Sequence, residues 1–204
     1  MTLPGDELLH FIRSRRSVRR FQPQAVPPGV LESVLGAAIW APSAHNRQPW
    51  RFAVVRSAAI KTRLADQMGA EFRRDLQRDG LLPEVIAAQV ERSRQRILEA
   101  PLLIVLSLDP ADLDTYPDQA RSQAEHIMAV QSVAMAGQAL MLAAHACGLG
   151  TVWMCAPLFA PAAVSQALDL PPGWQPQGML LTGYPAQVPP PRPRRPLSEI
   201  TRYY

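Results

Sequence analysis

The stretch Trp40–Phe52, WAPSAHNRQPWRF, sets two prolines, small and amide residues, a histidine and an arginine between two tryptophans, with a second arginine just after them. Before it, Val30–Trp40 reads as a helix carrying Val30, Val34, Ala37 and Ala38, with Pro28 placed in its first turn. Pro42 stops that helix, because proline lacks the amide hydrogen and clashes with the preceding turn. After it, Arg51–Val55 (RFAVV) reads as a strand. The polar segment between them joins a helix to a strand, a place where binding groups are held by rigid neighbours.

The same reading extends in both directions. Residues 5–14 form a first helix with Leu8, Leu9 and Ile12 on one side, followed by the basic run RSRRSVRRF at 13–21. Residues 58–68 are helical, and 69–98 are polar, helical and exposed, broken near Gly80 and Pro83. Pro101–Leu108 (PLLIVLSL) is a continuous apolar run, as expected of a strand buried on both faces. Four aspartates and two prolines make 109–118 a loop. The longest helix is Gln119–Cys147, apolar around much of its circumference, so that the fold or a partner must bury it. Val152–Met154 and Gln177–Tyr184 read as strands, with a short helix at Ala162–Leu168 between them. The six prolines of 185–196 forbid a regular helix. Strands and helices in this arrangement make an α/β or α+β sheet protein. One domain over 1–204 is expected, with a helical excursion at about 60–98 and a proline-rich tail at 185–204.

Composition narrows the function. The 204 residues are 48% apolar, enough for a sizeable core, and the net charge is a mild +4. The arginines are dispersed apart from Arg13, Arg15, Arg16, Arg19 and Arg20 near one end and Arg192, Arg194 and Arg195 near the other, which argues against a nucleic-acid surface. Cys147 and Cys155 are not in a CxxC and read as reduced core thiols. The N-terminus lacks the apolar core of a signal peptide, and the apolar runs read as too short or too interrupted to cross a bilayer, so a cytoplasmic, non-membrane protein is expected. The four histidines, His10, His45, His126 and His145, show no metal-ligand spacing, so no metal site is expected. No GxGxxG follows the first strand and no GxxxxGK[ST] occurs, which excludes Rossmann and P-loop sites.

Within the long helix, Gln131, Gln138 and His145 recur every seven positions on one face. They read either as core polar groups satisfied by backbone or, for Gln131, as a ligand contact. The helix runs into CGLGTVWM, where Gly148 or Gly150 supplies a left-handed cap and can leave backbone groups open to a flat ring. Trp40, Trp50, Trp153 and Trp174 read as packing residues, with Trp153 a candidate border of a cleft. Met68 and Phe72 are candidates for a substrate lid.

Four separated motifs then stand in order: RSRRSVRRF at 13–21, APSAHNRQPWRF at 41–52, CGLGTVWM at 147–154 and PRPRRPLSEI at 191–200. Together they resemble the nitroreductase family of FMN-dependent oxidoreductases over nearly the whole chain, with some similarity to the nitroreductase-like domain linked to coenzyme F420 biosynthesis. The resemblance implies an α+β fold with a mostly antiparallel sheet surrounded by helices. It also implies an intertwined homodimer, FMN at the subunit interface, and NADH or NADPH reducing a nitroaromatic, quinone, flavin or related conjugated acceptor by a ping-pong mechanism. By resemblance, Arg15, Arg16 and Ser17 face the FMN phosphate and ribityl chain, and Arg192 and Arg194 hold the phosphate. Pro42, Ser43, Ala44, Asn46 and Gln48 lie near the isoalloxazine, in some members partly from the partner subunit. Gly148, Leu149 and Gly150 run beside the ring. Gln131, from its place on the polar face of the long helix, is a further candidate cofactor contact. The chemistry agrees: arginine forks suit a dianionic phosphate, and amides match the mixed donors and acceptors of the flavin edge. Catalysis then needs positioning and control of flavin electronics rather than a protein nucleophile, so no catalytic side chain is assigned. A reductase of an F420-type precursor and a non-enzymatic flavin-binding protein are the alternatives.

Overall fold

A computed structural model describes residues 4–204. Four strands, β1 (Trp50–Val55), β2 (Leu102–Leu108), β3 (Gly150–Met154) and β4 (Gln175–Gly183), form one antiparallel sheet in the order β1-β2-β4-β3. Around it lie α1 (Gly5–Ser14), α2 (Pro28–Ala38), α3 (Ala58–Arg78), α4 (Pro83–Glu99), α5 (Gln119–Ala146), α6 (Pro161–Leu168) and the short α7 (Leu197–Ile200). The fold is therefore α+β with a central antiparallel sheet. Short 3-10 turns occupy Ala44–Asn46 and Ala156–Leu158.

The apolar run at 101–108 becomes a central strand, and all seven residues of β2 are buried. Its pleat divides them: Leu102, Ile104, Leu106 and Leu108 face α2 and α5, while Leu103 and Val105 face α3 and α6. Two cores thus sandwich one sheet. α2 ends at Ala38 rather than Trp40, with Pro42 a few residues beyond its end. Trp40 is 86% exposed in the chain, so it is not the packing residue expected; Trp50 is, at 5%.

Ser57 caps α3 by accepting from the amide of Ile60, and Gly80 at φ +74° ends the hairpin turn before Pro83. The 69–98 region is less exposed than its polarity suggests. Leu76, Ile86 and Val90 close a small core between α3 and α4. Lys61, the chain's one lysine, is buried. It donates to the carbonyls of Leu98 (3.3 Å) and Ala100 (2.7 Å) at the end of α4, and burial pushes its pKa down.

α5 is capped by Asp118, which accepts from the Arg121 amide at 2.9 Å. Contrary to the sequence expectation, α5 is by length and composition long and apolar enough to cross a membrane. Packing buries part of this apolar surface: Ala129, Val133, Ala136, Leu140 and Ala144 form a stripe against the sheet and α2, while most of the apolar stretch lies outside it. Gln131 and Gln138 are not core amides. They lie on the exposed face with Ile127 (47%) and Met135 (39%).

Trp153 lies within the core that holds α5 rather than at a cleft. Its ring fills the space left by Gly137 of α5 on one side and Gly178 of β4 on the other, where an added Cβ would collide with it. Gly137→Ala is expected to destabilise the protein by about 1–3 kcal/mol through overpacking, read as a lower urea midpoint at unchanged m-value.

Candidate functional site

The first predicted cluster forms where the two ends of the chain meet. Arg15 leaves α1 in extended conformation, and Ser17 bridges to Thr151 at the start of β3, with the Val18 amide donating to the Thr151 carbonyl at 2.9 Å. The tail then runs beside this segment. The Gln22 amide donates to the Tyr184 carbonyl (2.8 Å), and the Ala186 amide to the Arg20 carbonyl (3.0 Å). That pairing brings Arg192 and Arg194 against Arg15, Arg16, Ser17 and Arg19 around a cavity of about 110 Å³. No carboxylate lines it.

The electrostatics of this cavity are unbalanced. The Nη1 of Arg15 is buried without a hydrogen-bond partner. Burial lowers the Arg15 pKa, and the charges of Arg16 and Arg194 lower it further. An orphaned buried donor among like charges fits a dianionic phosphate, which supplies both the missing acceptor and the missing charge. The FMN phosphate passes this test of fit.

His145 sits beside the cluster. Ser14 Oγ donates to the Phe11 carbonyl (2.8 Å), so it accepts from His145 Nε2 (2.8 Å), and Phe11 stacks on the ring with centroids 4.9 Å apart. Burial, then Arg15 and Arg16, hold the His145 pKa below its ordinary value. With the folded pKa below the unfolded one, the unfolded chain binds more protons, so this group removes stability as pH falls below about 6.5. A phosphate anion offsets the arginine field. FMN or inorganic phosphate is therefore expected to raise the His145 pKa, seen as an upward shift of its NMR titration midpoint.

The second cluster is the loop before β1. Ser43 Oγ accepts from the Gln48 amide at 3.0 Å across the Ala44–Asn46 turn. His45, Asn46 and Gln48 all have left-handed backbone, with φ of 52°, 54° and 50°. Asparagine tolerates this, but histidine and glutamine are strained there, and such strain persists only where surroundings fix it. Arg47 fixes it. Its guanidinium pairs with Asp114 at 2.7 Å, donates to the Asp112 carbonyl and approaches the buried Glu125 at 4.0 Å. Arg51 pairs with Asp109 at 2.8 Å, and the Asp109 amide donates to the Pro49 carbonyl. The side chains of Asn46 and Gln48 lie together, with Gln48 Nε2 3.3 Å from Asn46 Oδ1, and both are exposed. Pro42 is exposed as well, and Ser43 and Ala44 are half-buried.

Sequence reading missed Arg47, Asp114 and Glu125 as a unit. A signal for Glu125 existed: it falls on the same helical stripe as Ala129, Val133, Ala136 and Leu140, where a carboxylate must be paired.

The glycine segment divides differently from expectation. Gly148, at φ +74°, is the left-handed cap of α5, and the Leu149 amide closes it on the Ala144 carbonyl at 2.8 Å. Gly148 is exposed, whereas the Leu149 side chain enters the core. Gly150 is required by the close approach of Val18, which an added Cβ would strike at 2.7 Å, rather than by an open backbone. Gln131 stands alone on the outer face of α5.

One chain does not unite these groups. The loop is tied to α5 at Glu125 and the arginine cavity at His145. Twenty residues of helix, about 30 Å, separate those ties. Among the described residues no cluster of His, Cys, Asp and Glu is arranged for a metal.

The sequence profile described as the Nitroreductase family matches residues 12–184. A protein named NADH dehydrogenase from Thermus thermophilus is 31% identical, covering 98% of this chain and 97% of its own. The 5,6-dimethylbenzimidazole synthase of Rhodospirillum rubrum is also 31% identical, over 97% of this chain and 88% of its own. A nitroreductase from Desulfovibrio desulfuricans, solved in complex with FMN, is 28% identical with a TM-score of 0.74, covering 100% of this chain and 98% of that one.

Proposed function

The chain belongs to the Nitroreductase family, and on that premise we propose that it is an FMN-dependent oxidoreductase using NADH or NADPH to reduce a conjugated acceptor such as a nitroaromatic, a quinone or a flavin. The observation that carries this reading is the cavity where Arg15, Arg16, Arg192 and Arg194 converge with no carboxylate and with a buried donor left unpaired. When bound, FMN supplies the redox chemistry, accepting a hydride and passing two electrons to the acceptor in alternating half-reactions.

The chain's own residues bind and orient. Arg15, Arg16, Ser17, Arg192 and Arg194 grip the phosphate, while the exposed Gly148 lies along the cofactor and Leu149 and Gly150 hold that segment to the core. Ser43, Asn46 and Gln48, with Pro42 and Ala44, present amide and hydroxyl groups to the ring edge, and the Arg47 network keeps that loop from relaxing. Positioning in a preorganised site is the catalytic contribution, and no side chain is asked to act as nucleophile.

The function requires a homodimer. The exposed stripe of Ile127, Gln131, Met135 and Gln138 lies midway between the two clusters on α5. Packing it two-fold, antiparallel, against a second copy lays residue 125 of one α5 near residue 145 of the other, so the amide loop of one copy meets the arginine cavity of its mate. Gln131 then faces the interface, and α1, which buries no residue in the chain alone, gains cover for Leu8, Leu9 and Ile12. We read the chain as one domain of this dimer, acting in the cytoplasm, where both nicotinamides are regenerated.

The test is direct. The purified protein is expected to be yellow and to bleach anaerobically with NADH or NADPH, recovering colour on adding a quinone. A colourless protein that takes up no FMN overturns the assignment; a yellow one that neither nicotinamide bleaches is a flavin-binding protein instead. Met135→Arg is expected to yield a monomer by light scattering and to lose FMN, although residue 135 is remote from the arginine cavity in the chain.

A further inference from the structure

Beyond the end of β3 lies a second cavity of about 300 Å³, which shares no lining residue with the arginine cavity. Met68 and Phe72 of α3 form one wall, and Ala156, Phe159 and Ala160, just after β3, form the other. Ser93 of α4 is its one neutral polar side chain. Its two charged lining groups, Glu71 and Asp75, are both acidic and one helical turn apart. The arginines that neutralise them, Arg74 and Arg78, point to solvent: their side chains are 64% and 78% exposed, against 35% for each carboxylate. The carboxylates therefore line the cavity, and the arginines paired with them do not.

The mouth has the opposite character. Phe159 is 75% exposed and Leu158 50% exposed, on a 3-10 turn that holds them out beside the opening. Adjacent large apolar side chains held in water mark a surface that is covered in use. The volume, the apolar walls and the few polar groups match a small-molecule site.

From this arrangement we infer that the cavity takes a planar apolar molecule carrying a cationic or neutral hydrogen-donating substituent, with its ring between Phe72 and Phe159 and its substituent toward Glu71 and Asp75, and that it discriminates against carboxylates and other anions. The acidic pair repels an anion and accepts from a donor, and no basic group lines the cavity to reverse that preference. That this occupant is the electron acceptor rests on the proposed function; its binding does not.

The experiment measures binding by titration calorimetry on the flavin-loaded protein with two ring-matched probes, 1-naphthylmethylammonium and 1-naphthoate. The ammonium probe is expected to bind about tenfold more tightly or better, because attraction to one charge and repulsion of the other add. The double variant Glu71→Gln, Asp75→Asn should bring the two affinities together, while Phe72→Ala should weaken both. Equal affinities in the wild-type protein, no binding of either probe, or a preference that survives the double variant overturns the inference. Bleaching by NADH, recorded on the same sample, separates the two ideas. Bleaching without probe discrimination sinks this inference alone, and discrimination without bleaching sinks the reductase reading alone.

Discussion

Arg15→Ala raises the dissociation constant for FMN between tenfold and a hundredfold, roughly the worth of one charge-assisted hydrogen bond to a phosphate. The expectation rests on position. Arg15 carries a buried donor with no partner, held among the charges of Arg16 and Arg194. Arg194 is exposed and bonds to its own neighbouring carbonyls, so Arg194→Ala should weaken FMN by less. A second readout separates a binding role from a structural one. In the FMN-free protein Arg15 is an unpaired, half-buried cation, so its removal should leave the melting temperature unchanged or raise it. A variant that loses FMN and melts lower has lost structure instead. Equal FMN affinity in wild type and variant, from recovery of flavin fluorescence on dilution, would remove Arg15 from the phosphate site.

Arg47→Ala is expected to cost about 2–3 kcal/mol of stability, because it strips the buried Glu125 of its charge partner and frees Asp114 and the Asp112 carbonyl together. A lower urea midpoint measures this. Arg47→Lys should rescue only part of the loss, since one ammonium cannot serve three acceptors spread across a guanidinium fork. The variant also probes the site. With its clamp gone, the loop loses what holds His45, Asn46 and Gln48 in left-handed backbone. The reduction potential of bound FMN is then expected to shift, whereas Gly137→Ala, destabilised by a similar amount at a place remote from the loop, should leave it alone. Equal potentials in wild type and Arg47→Ala would mean that the loop does not address the flavin.

Much of the fold was legible because its signals are local. PLLIVLSL is apolar at all but Ser107 and became the buried β2; of the two glycines offered as the cap of the long helix, Gly148 takes the left-handed conformation. Errors arose where burial depends on what lies opposite. Trp40 was expected to pack and Cys147 and Cys155 to lie in the core, and all three are exposed. Trp153 packs as expected, but its place, a slot between two glycines that are 41 residues apart in sequence, is set by what lies opposite. Gly150 looked like an exposed backbone and is a close-approach residue under Val18.

The candidate site divides along the same line. Residue types alone pointed to its chemistry: arginines for a phosphate, amides for a ring edge, a glycine for a left-handed cap, each a property of one side chain or one turn. The antiparallel pairing of the tail with residues 20–22 brings Arg192 and Arg194 to Arg15, a convergence across some 180 residues that no local pattern encodes. The length of α5 does the reverse. It holds the amide loop and the arginine cavity about 30 Å apart in one chain, so that groups the sequence presents as one set of motifs form two separate clusters. Sequence determined which groups are present and what each can bind; tertiary structure decided which of them share a site, because proximity is set by strand pairing and helix length rather than by order along the chain.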